Sequence, residues 1–202
     1  MAHAFARPSA TALEPGSSDP AADEMLIARI ARGDQLALRS LFARHRTRVY
    51  RFIMRLIRDE SAAEDVLSEV FFEVWRSASR FEGRSSLSTW LLAIARFKVL
   101  TAMRRRRDDT EPVREDVAAR IPDTSADPQR LLERDDDRQC MQQALAKLSP
   151  AHAEVIDLVY YHGRSVRDVA QILAISESTV KTRMFYARKK LSELLGRGRS
   201  AD

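Results

Sequence analysis

"SVRDVAQILAISESTVKTRMFYARKKL", residues 165–191, decides the fold of the C-terminal part of this chain. Ser165, with Asp168 three positions on, is the reciprocal pattern that caps a helix start. The short helix it opens buries Val166, Val169, Ala170 and Leu173 along one stripe. After a tight turn Ser176 caps a second helix, whose apolar side is Val180, Met184, Ala187, Leu191 and Leu195. A short helix, a turn and a longer amphipathic helix form a helix-turn-helix pattern. At about 100° per residue, Ser178, Thr182, Phe185 and Lys189 point away from that stripe, with Lys181 and Tyr186 beside them.

The second helix of such a motif lays its N-terminal half in the major groove. The candidate DNA-binding set is Ser178, Thr179, Lys181, Thr182, Arg183, Phe185, Tyr186, Arg188 and Lys189. Hydroxyls and an ammonium suit base edges, and the Phe185 ring suits thymine methyls. Arg183, Arg188, Lys189 and Lys190 suit phosphates, which position a domain without reading sequence. The competing account is an ordinary helical hairpin with a solvated basic face. An exposed phenylalanine argues against solvation alone.

Working outward, Ser149-Pro150 predicts a cap with proline at the first helical position, and Gly163 is expected to close that helix. This second module is expected from Gln129 to residue 196, and its opening part carries Leu131, Leu132, Met141, Leu145 and Leu148. Before it, residues 108–128 contain three prolines, many charges and no sustained stripe, and read as a linker.

The charge map supports two separate modules. The net charge is only +5, but it is segregated. Residues 76–107 carry nine Arg or Lys against Glu82, a net +8. Residues 108–137 carry eleven acids against four Arg, a net −7, and residues 163–199 return to +6. Two basic blocks around an acidic one suggest polyanion-facing modules on a linker.

The N-terminal module, residues 23–107, reads as four helices. Gly33 ends the first and Asp34 caps the second. Ser61 with Glu64 predicts a capping box for the third, whose stripe is Ala63, Val66, Leu67, Val70, Phe71, Val74, Trp75 and Ala78. Its outward face carries Asp65, Ser68, Glu69, Phe72 and Arg76, a ring framed by charges that suits a small protein-binding patch. The fourth helix is expected from about Ser88 to Arg106. In "RFEGRSSLSTWLLAIARFKVLTAMRRRR", residues 80–107, cations interleave with aromatics beside a Gly/Ser loop. That composition suits single-stranded DNA, through Arg80, Arg84, Ser86, Trp90, Arg96, Lys98, Arg104 and Arg105. Trp90 also sits where a core residue would.

Other classes have less support. Cys140 is the single cysteine, which excludes an internal disulfide and a Cys-rich metal site. No apolar run reaches the roughly 20 residues that span a bilayer, so no membrane insertion is expected. Residues 1–22 read as a disordered leader of small residues, and 197–202 as a tail. There is no carboxylate cluster, metal-ligand spacing or P-loop, so neither enzyme activity nor a cofactor is expected. His45, His152 and His162 are scattered and read as structural or exposed.

Taken in order, these blocks resemble the extracytoplasmic-function (ECF) sigma factors of bacteria. "AEDVLSEVFFEVW" resembles the family's core-polymerase-binding helix in region 2, and "STWLLAIARFKVLTAMRRRR" its promoter-melting and −10-reading segment. "LSPAHAEVIDLVYYHGRSVRDVAQILAISESTVKTRMFYARKKL" resembles region 4, which reads the −35 element. The resemblance implies an all-α initiation factor whose two small helical domains are joined by a flexible acidic linker. It implies that Asp65, Glu69 and Phe72 meet the β′ coiled coil of core RNA polymerase, and that region 4 also meets the β flap. The loop Glu82–Ser88 would hold a flipped −10 base, the linker would thread the polymerase's RNA-exit path, and an anti-sigma factor would hold the chain inactive in the cytoplasm. The chain departs from the family pattern at Ser68, where Gln is common, and at Phe97 and Thr101, where Asn and Asp are common. Phe185 and Tyr186 are also atypical, so promoter sequences do not transfer. The segment between the modules is too short for the middle domain of primary sigma factors. The rivals are a stand-alone helix-turn-helix regulator, which leaves Phe72 and residues 81–107 unexplained, and a DNA-processing enzyme.

Overall fold

The computed structural model describes residues 20–109 and 141–198, Gln142 excepted. The expected leader before Pro20, the linker from 110, the opening of the second module with Leu131, Leu132 and Cys140, and the tail from 199 lie outside the described residues. No strand occurs among the described residues. The first module comprises α1 (Pro20–Ile30), α2 (Gln35–Ile57), α3 (Glu60–Ser77), a 3₁₀ turn (Ala78–Arg80) and α4 (Leu87–Asp109). The second comprises α5 (Pro150–Ile156), a π-helical turn (Asp157–Tyr161), α6 (Val166–Leu173) and α7 (Glu177–Gly198). Helix α1 begins ahead of the expected boundary at Asp23, and α4 runs past Arg107 into the expected linker.

Local chemistry explains most boundaries. Gly33 takes φ +86° and ends α1, and the Asp34 carboxylate accepts from the backbone N–H groups of Leu36 and Ala37 to start α2. The Ser61–Glu64 box does not form. Helix α3 starts two residues earlier because Asp59, in extended conformation, accepts from Ala62 N–H at 3.0 Å, leaving Ser61 inside the first turn. The box at Ser165 does form, with Ser165 Oγ accepting from Asp168 N–H and the Asp168 carboxylate accepting from Ser165 N–H. Ser149 is extended and Pro150 opens α5 as expected, but the Ser149 hydroxyl makes no cap bond. Gly163, at φ +61°, follows the π-helical turn rather than ending α5 itself.

In the first module the core runs through Leu41, Phe52 and Ile53 of α2, Ala63, Val66, Val70 and Val74 of α3, and Leu91, Leu92, Ala95 and Val99 of α4, all buried. Asp23 is buried as well; its carboxylate pairs with Arg44 NH1 at 2.9 Å and is in hydrogen-bond contact with His45 Nε2 at 3.1 Å. The same core continues into the second module through Val155, Leu158, Val169, Ala170, Leu173, Val180 and Met184. Helix α4 packs on α6, so the two modules lie against one another. A smaller apolar cluster of Leu148, Ile156 and Ala187 seats α7 on α5.

Candidate functional site

Three surfaces carry the residues singled out from the sequence. On α7, Val180 and Ala187 are fully buried and Met184 nearly so, which turns Ser178, Lys181, Thr182, Phe185 and Lys189 to solvent. The turn before this helix puts Ala174 in the left-handed region at φ 53°, and its N–H caps α6. Ser176 Oγ accepts from Thr179 N–H at 3.1 Å and lies 2.8 Å from both Ser178 Oγ and Thr179 Oγ1. Thr179 is therefore a capping position rather than part of the free face, and Arg183 is half-buried. Phe185, 63% exposed, meets Tyr186 edge-on with centroids 5.4 Å apart. Arg188 Nε donates to Tyr160 Oη at 2.7 Å, which fixes the guanidinium at the margin of the face. Val166, Lys181, Phe185, Arg188 and Ser192 line a shallow open groove there.

The second surface is the outer side of α3. Asp65, Ser68, Glu69, Phe72 and Arg76 are all exposed, in line along the helix. Phe72 is 60% exposed, with the Arg76 guanidinium 5.9 Å from its centroid. A large ring presented this way adds nothing to the module's own core.

The third surface splits. Arg80, at the end of the 3₁₀ turn, and Arg84 and Ser86, in the loop before α4, stand exposed, with Arg84 paired to Glu82. Arg104 and Arg105 are exposed at the far end of α4, about 27 Å away at 1.5 Å per residue. Between them, Trp90 is half-buried against Phe81, at 5.1 Å between centroids, and belongs to the core as much as to any groove. Lys98 Nζ donates to Glu73 at 3.2 Å. Arg96 Nε donates to Glu154 Oε1 of α5 at 2.7 Å. Phe97, 67% exposed, stands on the free side of α4 with Leu100 and Arg104.

Sequence reasoning missed the groups that α4 and α2 offer to the second module. Thr89 Oγ1 donates to Asp168 Oδ1 at 3.0 Å, and Arg164 NH1 donates to Ser86 Oγ at 3.4 Å. Arg55 pairs with Asp157 and lies 3.4 Å from the Tyr161 ring centroid. His162 meets Phe52 edge-on at 5.6 Å. Burial, reinforced by Arg55, Arg48, Arg164 and Arg51, lowers the His162 pKa to about 4, so the ring is neutral at pH 7. Burial alone would raise the Asp168 carboxyl, but bonds from Ser165 and Thr89 and the Arg164 charge hold it below its ordinary value. Spacing within a helix carries no sign of these partners, which come from elements 58 to 110 residues apart.

Residues 41–108 match Sigma-70 region 2 and residues 138–191 match Sigma-70, region 4. The ECF RNA polymerase sigma factor SigK of Mycobacterium tuberculosis is 30% identical over 85% of this chain and 92% of its own length. The chain belongs to the ECF sigma factors. RNA polymerase sigma factor CarQ of Myxococcus xanthus is 35% identical over 83% of this chain and 94% of its own. Among solved structures, the sigma factor RpoE of Bartonella quintana, in complex with the anti-sigma factor NepR, matches 78% of this chain and 96% of its own. Its TM-score is 0.64 at 27% identity. The function of this ECF sigma factor is promoter-directed initiation of transcription, carried by two all-α domains that correspond to regions 2 and 4. No described helix is long and apolar enough to cross a membrane, and no group of three His, Cys, Asp or Glu able to hold a metal occurs among the described residues.

Proposed function

We propose that the three surfaces divide the work of initiation. The α3 face, centred on Phe72, docks on core RNA polymerase at the β′ coiled coil, and the second module also meets the β flap. The α7 face enters the major groove of the −35 element, with Lys181, Thr182 and Phe185 at base edges and Arg188 and Lys189 on phosphates. The loop Glu82–Ser88, with Arg80, Arg84 and the free side of α4, receives the −10 single strand. The chain makes and breaks no covalent bond and acts in the cytoplasm, where its polymerase is. The RpoE–NepR complex supports control of this chain by an anti-sigma partner as well.

The observation that carries this assignment is the outward face of α7. Phe185 and Thr182 stand exposed among cations on a helix whose inner stripe, Val180, Met184 and Ala187, is buried. Thr182→Ala and Lys189→Ala test it on −35 duplexes selected from a genomic library with reconstituted holoenzyme. Thr182→Ala is expected to change which sequences are preferred. Lys189→Ala is expected to weaken all sequences alike and reduce the salt slope by about one. Equal losses on every sequence for both variants would remove base readout from this face.

A further inference from the structure

Helix α5 runs into the π-helical turn Asp157–Tyr161, which the His162 N–H closes by donating to Asp157 O at 3.1 Å. Such turns are rare, and they recur at functional sites. Here the widened turn leaves two neighbouring rings outside, Tyr160 at 54% and Tyr161 at 63% exposed, while Leu158 is fully buried. Each ring takes a different arginine. Tyr161 meets Arg55 of α2. Tyr160 Oη accepts from Arg188 Nε of α7 at 2.7 Å, and the guanidinium carbon lies 5.6 Å from its ring centroid.

Tyr160 stands 28 residues before Arg188 and belongs to neither helix of the helix-turn-helix. The pair is not what seats α7, because Leu148, Ile156 and Ala187 already do so, with Leu145, Ala153 and Leu191 packed around them. Arg188 is exposed, and among the described residues no carboxylate lies within ion-pair distance of it, whereas nearby Lys190 is paired with Glu193. At 100° per residue, Arg188 lies about 80° round α7 from buried Val180, and Lys189 about 180°. Arg188 therefore reaches the edge of a duplex lying on this face, where the phosphates are, and not its centre. With Nε held by Tyr160, both terminal nitrogens are left to donate together to a phosphate.

We propose that Tyr160 is a positioning residue for DNA: its hydroxyl fixes Arg188 so that the outer edge of the guanidinium meets one backbone phosphate of the −35 duplex. This role rests on the assignment of the α7 face to that duplex. An arginine that samples its rotamers gives them up on docking, and one already held gives up little. The expected gain is about fivefold in affinity, the ordering cost of one long side chain. Phosphates carry no sequence information, so the gain is the same for every −35 sequence.

Neutral methylphosphonate linkages, placed one at a time in the −35 part of a promoter fragment, test this. Holoenzyme reconstituted from the full chain is titrated with each fragment, for wild type, Tyr160→Phe, Arg188→Ala and Lys189→Ala. The quantity read is the penalty each linkage imposes relative to the unmodified fragment within the same variant, so a partial loss of fold cancels. Arg188→Ala is expected to remove the penalty at one linkage, and Lys189→Ala at another. Tyr160→Phe keeps the ring and should weaken the unmodified fragment about fivefold, while reducing the penalty at the Arg188 linkage alone. Wild-type penalties at every linkage in Tyr160→Phe overturn the positioning role and leave the α7 assignment standing. Penalties reduced at all linkages alike make Tyr160 a general brace of the module and overturn the role as well. If Arg188→Ala and Lys189→Ala both keep the wild-type pattern, the α7 assignment fails and the role of Tyr160 fails with it.

Discussion

Phe72→Ala separates binding from folding more cleanly than any other change in this chain. The ring is 60% exposed and contributes nothing to the buried stripe of α3, so the free protein should lose no more than about 0.5 kcal/mol. Burying a whole phenylalanine contributes up to about 3 kcal/mol, and the exposed share leaves roughly 2 kcal/mol to be gained on docking. Losing that weakens core-polymerase affinity about 30-fold, at 1.4 kcal/mol per tenfold. The assay is titration of labelled chain with σ-free core polymerase, beside a thermal melt and binding of a −35 duplex. Melting temperature and duplex binding are expected to hold while polymerase affinity falls. Affinity within twofold of wild type, with an unchanged melt, would refute the assignment of this face to polymerase.

Three further outcomes follow from the fold. His162 is neutral and buried with a pKa near 4 against an ordinary 6.5, facing Phe52, Arg48, Arg51 and Arg55 of α2, Arg164, and Asp157 of its own turn. The unfolded chain takes up the proton first, so stability from this residue is complete above pH 6.5 and declines as pH falls toward 4. The loss is about 2 kcal/mol by pH 5, which urea titrations at both pH values will show and His162→Phe will flatten. Ala174→Gly relieves a left-handed alanine in the helix-turn-helix turn and should raise stability by about 1 kcal/mol, read from chemical denaturation; a loss would mean that the turn gains nothing from glycine's freedom. Asp59→Ala should lower the melting temperature by roughly 2–5 °C while Ser61→Ala leaves it unchanged, and the reverse order would restore the Ser61 box as the cap of α3.

Much of this molecule follows from short-range pattern. Periodicity placed the buried stripes of α3 and α7, with Trp75, Leu191 and Leu195 only half-buried at their edges, because a helix with 3.6 residues per turn turns spacing directly into facing. The outward sets, Asp65 to Arg76 on α3 and Ser178 to Lys189 on α7, are exposed for the same reason, Thr179 and the half-buried Arg183 apart. Caps were legible where one side chain dominates, as at Asp34 and Ser165. They were misjudged at Ser61, because Asp59 competed for the same first-turn donors and its stronger carboxylate acceptor prevailed.

What the sequence alone determined, then, is the set of helices, their inner and outer faces, and the family to which they belong. Tertiary structure alone decided that Arg96 lies under Glu154, that Thr89 meets Asp168, and that His162 is sealed against Phe52. A cation on a helix reads the same in sequence whether it faces DNA or a carboxylate on another element. Only the packing of α4 on α6, driven by apolar burial shared across both modules, selects which partner it has.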